Sequence, residues 1–192
     1  MRSLLEEIGG CTICENALPH PPRPIIAASS RSRILLIGQA PGRKVHESGI
    51  PWHDKSGELL REWMGLGDDA FYDPDVVAIV PMGFCYPGKG KSGDLPPRPE
   101  CHEAWHERVM SSLKSVELTL LIGKYAQEAY LGENTKGNLT ETVKSFEQYL
   151  PDLIPLPHPS PRNRIWLKKN PWFTSEVLPL LRDKVRQVTS QS

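Results

Sequence analysis

The residues of this chain best placed to do chemistry are four cysteines, a histidine set among prolines, and an aspartate with a tryptophan close by. Cys11 and Cys14 form a C-x2-C pair, and Cys85 and Cys101 follow far downstream with the spacing C-x15-C. Structural disulfides are disfavoured in a reducing compartment, so four such thiols point to a metal centre or to separate buried side chains. Four thiolates suit a [4Fe–4S] cluster or a tetrahedral zinc ion, although the wide second spacing departs from the paired knuckles of a zinc ribbon. His158 lies in Pro157-His158-Pro159-Ser160-Pro161, where the prolines stiffen the backbone. A histidine held this way can donate a hydrogen bond to a developing anion, or it can be purely structural. Asp54, in Trp52-His53-Asp54-Lys55-Ser56-Gly57, reads either as the cap of a following helix or as a carboxylate aimed into a site. Trp52 reads as core packing or as a platform on which a base stacks, worth about 1–3 kcal/mol. Beyond His158, Arg162, Arg164 and Lys168 alternate with apolar residues such as Trp166. Such a segment can hold phosphates while an apolar wedge enters a base stack, or it can be a solvated loop with its tryptophans turned inward.

These residues need elements to hold them. Strands are predicted at Arg33–Ile37, Asp75–Val80, Glu117–Ile122 and Leu153–Leu156. Each is followed by a chemically unusual loop: Gly38-Gln39-Ala40-Pro41-Gly42, then Pro81–Cys85, then Gly123, then the His158 segment. Helices are predicted at Ser56–Met64, Glu100–Leu113, Tyr125–Leu131, Leu139–Phe146 and Ser175–Val188, with the Thr189–Ser192 tail frayed. A long Gly/Pro loop is expected to run up to Pro99. Alternating strands and helices predict a three-layer α/β/α sandwich around a central four-stranded parallel sheet, forming one domain over residues 1–192. Ligands of such sheets bind at the carboxyl ends of the strands, where these loops gather.

Bulk properties narrow the function. The formal net charge is zero, so any nucleic-acid contact has to be a local patch. The longest apolar runs are strand-sized, and acids follow Met1-Arg2-Ser3-Leu4-Leu5 where a secretory signal would need an apolar stretch. A cytoplasmic protein without membrane contact is expected. The first loop has neither G-x-x-x-x-G-K-[ST] nor G-x-G-x-x-G spacing, so no nucleotide cofactor is expected. Its glycines and proline would instead let backbone amides approach a flat ligand.

Taken together, the motifs resemble the uracil-DNA glycosylase superfamily across nearly the whole chain. Gly38–Gly42 is similar to the superfamily's first motif, and His158-Pro159-Ser160-Pro161-Arg162-Asn163 to its second. The four cysteines follow the order and spacing of the iron–sulfur families 4 and 5. The resemblance implies a [4Fe–4S] cluster on Cys11, Cys14, Cys85 and Cys101, with zinc as the alternative. It implies base binding by Gly38, Gln39, Ala40, Pro41, Gly42 and Trp52, and DNA contact by Ser160, Arg162, Asn163, Arg164, Trp166 and Lys168. The carboxylates that families 1 and 4 place in the first motif are replaced here by Ala40 and Gln39. Family 5 takes its catalytic aspartate from a D-x-S-G segment, which Asp54-Lys55-Ser56-Gly57 matches. Asp54 is thus expected as acid/base and His158 as stabiliser of the leaving base. Where families 4 and 5 carry an asparagine that reads uracil, four residues before the third cysteine, this chain has Pro81.

The expected function is a monomeric, monofunctional DNA glycosylase that flips out uracil, or a related deaminated base such as hypoxanthine or xanthine, and hydrolyses its N-glycosidic bond. Two alternatives stand beside it: a catalytically silent nucleic-acid-binding member of the same fold, and an iron–sulfur redox or metal-sensing protein.

Overall fold

The structure, a computed structural model, describes residues 1–190; Gln191 and Ser192, the end of the tail expected to fray, lie outside the described residues. Short apolar runs, β-branched and leucine-rich, form strands because both of their faces find partners. The strands are β1 (Ile34–Ile37), β2 (Val77–Ile79), β3 (Lys89–Gly90), β4 (Gly93–Asp94), β5 (Leu118–Ile122) and β6 (Leu153–Leu156). Four of them make a parallel sheet in the order β2-β1-β5-β6, with Ile34 opposite both Val77 and Leu118, and Leu120 opposite Ile154. β3 and β4 form a separate antiparallel hairpin.

Alternate residues of each strand enter opposite cores. Ile34, Leu36, Leu120 and Leu156 face one layer, which holds Leu60, Trp63, Phe173, Leu181 and Val185. Leu35, Ile37, Ala78 and Leu121 face the other, with Ile8, Trp105, Val109 and Ala126. This is the three-layer α/β/α arrangement read from the sequence. The chain leaves β1 for β2 on one side of the sheet and continues through β5 to β6 on the other. That reversal opens a crevice at the carboxyl ends of the central strands.

Several elements differ from the expectation. The long Gly/Pro loop contains the β3–β4 hairpin, whose two-residue strands carry no apolar alternation. The helix over 99–112 is wound as a π-helix at His102–His106, and a second π-turn, Phe173–Val177, leads into the closing helix Leu178–Thr189. Short helices at Arg2–Gly9, Arg43–Ser48, Asp68–Tyr72 and Arg164–Lys169 add to those expected. The helix expected to reach Phe146 stops at Lys144, and a 3-10 turn, Phe146–Tyr149, follows. Among the described residues, no helix is long and apolar enough to cross a membrane.

Candidate active site

The loops after β1, β2 and β6 enclose a cavity of about 560 Å³. Gly38–Gly42, Trp52, Asp54, His158, Ser160 and Arg162 all line it, and Pro81 forms part of its wall. Residues more than a hundred positions apart are thus brought together at the sheet edge where the sequence places a site. A volume of this size is in the range of small-molecule pockets.

Backbone bonds fix the first loop to the second. The Met82 amide donates to the Gly38 carbonyl at 2.8 Å and the Gly83 amide to the Gln39 carbonyl at 3.0 Å. The Gln39 side-chain amide donates to the Leu95 carbonyl at 3.0 Å, anchoring the chain just after β4. Pro81 has no N–H, and its carbonyl accepts from His106 Nε2 at 3.0 Å. A carbonyl can only accept, so Nε2 carries the proton; Nδ1 then accepts from the Tyr130 hydroxyl at 2.6 Å. Burial holds the His106 imidazole down at about 4.

Trp52, Asp54 and Gly57 form one local unit. Asp54 caps the helix Lys55–Met64, its Oδ1 accepting from the Gly57 amide at 2.9 Å. Trp52 has φ 55°, a left-handed conformation costly for a residue with a bulky side chain. Its carbonyl is held by Arg61 Nη1 and the Tyr72 hydroxyl, both at 3.4 Å, and is packed so tightly that a Cβ on Gly57 would lie 1.7 Å from its oxygen. The indole lies against Gly38, where a Cβ would come within 3.0 Å of Cζ2. Its ring centroid is 5.7 Å from that of His158. Trp52, half-buried, packs on the apolar core and also lines the cavity. Asp54 likewise caps its helix and faces the cavity.

The last loop folds back on the His158 carbonyl, which accepts from the Ser160 amide at 2.8 Å and from Asn163 Nδ2 at 2.7 Å. Burial pushes the His158 imidazole below its ordinary value, and the Asp54 and Asp94 carboxylates pull it partly back. Arg162, Arg164 and Lys168 are exposed at the cavity rim and along the short helix beyond it. Asn163 and Trp166, expected at a DNA face, are committed within the protein. Asn163 braces the loop, and the Trp166 indole N–H donates to Thr140 Oγ1 at 2.9 Å while its ring packs on Trp172 and Phe173. The exposed apolar side chain of that helix is Ile165, 68% accessible.

Asp94 escaped sequence reasoning. It lines the cavity from the β3–β4 hairpin as an exposed residue; partial desolvation of its carboxyl raises it, and Arg162 and His158 lower it. The nearest signal in the sequence was the Gly-Lys-Ser-Gly-Asp run, which reads as a turn.

The four cysteines, all free thiols, lie within electrostatic reach of one another. Burial pushes Cys85 up to about 11 and Cys101 up to about 12, and the neighbouring thiols add to both. The Phe84 amide donates to Cys101 Sγ at 3.4 Å. Among the described residues, no three His, Cys, Asp or Glu side chains close on a point where a single metal ion could be held.

Residues 26–182 match the model of the uracil DNA glycosylase superfamily, and the chain belongs to that superfamily. Membership points to a uracil DNA glycosylase-like function, and proteins of this superfamily act on DNA. Among solved structures, the chain is similar to the crystal structure of wild-type SMUG2 from Pedobacter heparinus, at 17% identity and a TM-score of 0.40 over 83% of this chain and 75% of that one.

Proposed function

We propose that this protein is a monofunctional DNA glycosylase that excises deaminated bases by hydrolysis. The observation that carries this reading is the cavity where Trp52, Asp54 and His158 meet the first loop. Trp52 supplies a stacking surface for an extruded base. Cleavage needs negative charge near the sugar as it becomes cationic, and a donor for the departing base. Asp54 offers the first and the His158 imidazole the second. Arg162, Arg164 and Lys168 supply cations for the backbone flanking the extruded nucleotide, with Ser160 at the rim.

The chemistry of the donor set supports a [4Fe–4S] cluster on Cys11, Cys14, Cys85 and Cys101. The thiols lie within electrostatic reach of one another and three of the four are buried. A cluster there ties the N-terminal segment to the Cys85 loop and the Cys101 helix, a structural task remote from the reacting bond.

Pro81 favours a broad substrate range. Its ring offers no donor and its carbonyl already accepts from His106, so the side-chain contact an asparagine would make is absent from this wall. The test is a panel of single- and double-stranded oligonucleotides carrying one uracil, hypoxanthine or xanthine, cleaved by alkali after incubation. Excision of more than one of these bases is expected. Salt-dependent binding with no excision of any of them would make the protein a silent binding member of the fold.

A further inference from the structure

The cavity has a wall that its motifs do not announce. Between Cys85 and Cys101 the chain doubles back as the β3–β4 hairpin, with Lys89 paired to Asp94 and Gly90 to Gly93. The hairpin is tied down at its base: Gln39 Nε2 donates to the Leu95 carbonyl at 3.0 Å, and the Leu95 amide donates to the Gly88 carbonyl at 2.8 Å. Lys89, Ser92, Gly93 and Asp94 reach the cavity from it. Asp94 Oδ2 lies over the first loop, 3.5 Å from where a Cβ on Gly42 would be. The charged and titratable groups facing its carboxyl are Arg162 and His158 from the last loop, Asp54 from the facing helix start, and the adjacent Tyr86 hydroxyl. His158 therefore shares the cavity with two carboxylates, and both act on it electrostatically.

The two are not equivalent. Asp54 is pinned as a cap, with one oxygen engaged by the Gly57 amide at the positive end of a ten-residue helix. One of its two oxygens is thereby committed to the helix start. Asp94 has no helix behind it: it stands exposed on the hairpin at the cavity wall, its carboxyl open to water and shifted toward the protonated form. Where two carboxylates share a site in different environments, the fixed charge and the proton acceptor divide between them.

We propose that Asp94 is a second catalytic carboxylate of this site, accepting the proton of the attacking water while Asp54 stabilises the cationic sugar. The inference rests on the glycosylase reading above. In the step, the bond between the sugar C1′ and the base nitrogen breaks, and its electron pair leaves on the base. The water oxygen bonds to C1′ and its proton passes to Asp94. The base anion, hydrogen-bonded by His158, gains a proton from solvent as it departs, and Asp94 returns its own to solvent.

Single-turnover excision from a uracil-containing oligonucleotide tests the assignment. Asp94→Asn leaves the main-chain pairing of the hairpin untouched and should slow excision by about 10²–10³-fold, the scale of a positioned base. Its affinity for the same oligonucleotide and its thermal midpoint should stay at the parent's values. Asp94→Ala should be equally slow, and added formate, a small carboxylate able to enter the space, should restore part of its rate. An active parent with an equally active Asp94→Asn variant would overturn the inference while leaving the glycosylase reading intact. So would a rate loss matched by lost DNA affinity, or an Asp94→Ala variant that formate does not accelerate. A parent inactive on uracil, hypoxanthine and xanthine alike would overturn the glycosylase reading and this inference with it.

Discussion

Gly57→Ala pits two physical effects against each other, and the structure decides between them. Gly57 lies inside the helix Lys55–Met64, where alanine ordinarily stabilises by about 0.5–1 kcal/mol through backbone entropy. Here its Cβ would fall 1.7 Å from the Trp52 oxygen, 2.6 Å from the Trp52 carbonyl carbon and 2.8 Å from the Trp52 Cβ. An ordinary contact starts at 3.4 Å, so one of the two segments has to move by up to about 1.7 Å. Neither moves freely. The Trp52 carbonyl is held by Arg61 and Tyr72, its φ of 55° is already strained, and the helix start is locked by the Asp54 cap. Overpacking costs about 1–3 kcal/mol and a lost cap about 1 kcal/mol, which together exceed the propensity gain. The variant should therefore be less stable by about 1–3 kcal/mol in urea unfolding. Both Trp52 and Asp54 shift with that contact, and a displacement of about 1 Å at reacting groups costs on the order of 10²-fold in rate. Single-turnover excision should fall by that amount. A Gly57→Ala protein more stable than its parent and fully active would show that this packing does not hold the site.

Asp54→Asn should keep its stability, because asparagine caps as well as aspartate, but lose about 10²–10⁴-fold in excision rate; His158→Ala should lose about 10²–10³-fold. Full activity in Asp54→Asn would reduce Asp54 to its capping role. Charge reversal at Arg162 and Lys168 should weaken binding to all sequences alike and flatten its salt dependence, and an unchanged salt slope would place the phosphate contacts elsewhere. Protein purified anaerobically should be brown with about four irons per chain, and Cys85→Ser should lose the colour and part of its stability. A colourless protein holding one tightly bound zinc would refute the cluster. Burial holds His106 at about 4 against an ordinary 6.5, so below pH 6.5 the unfolded chain binds a proton that the folded chain refuses. Stability should then fall by up to roughly 3 kcal/mol as the pH drops from 6.5 to 4, and His106→Gln should abolish that part of the acid sensitivity in urea titrations at each pH.

The sheet was legible because Ile34-Leu35-Leu36-Ile37 and its counterparts are apolar on both faces, a pattern that few settings other than a covered parallel strand satisfy. The loops at its carboxyl edge were legible because glycine, proline and histidine are conspicuous there. The hairpin was not: Lys89-Gly90 and Gly93-Asp94 have no apolar periodicity, and their pairing depends on a tertiary anchor, the bond from Gln39 to Leu95. Asp94 went unrecognised for the same reason, since a turn aspartate becomes a site residue only once the hairpin is folded over Gly42. Trp166 was open to both readings. Alternating basic and apolar residues do not say which apolar side chain turns inward, and the Thr140 hydroxyl together with the Trp172 and Phe173 rings drew the tryptophan into the protein.

Pro81 ties the buried polar network to substrate choice. A purely apolar replacement for a base-reading asparagine would leave the carbonyl at this position free to select a donor on the base. Here that carbonyl is consumed by His106, whose tautomer is in turn fixed by Tyr130, so three buried groups are satisfied by one another and none projects to the base. The π-turn at His102–His106 carries His106 in this arrangement, with its ring stacked 5.5 Å from Phe84 beside the Cys85 loop. The carbonyls of Gly38 and Gln39 are likewise spent, on the amides of Met82 and Gly83. A wall that offers no side-chain donor cannot reject a base for lacking a partner to it, and such rejection is the strongest discrimination a site can exert, about 10⁴–10⁵-fold. The rest of the cavity holds the Trp52 face, the first-loop backbone and the side chains of Asp54, Asp94 and His158. The lack of a side-chain donor at Pro81 is the reason breadth is expected on the oligonucleotide panel.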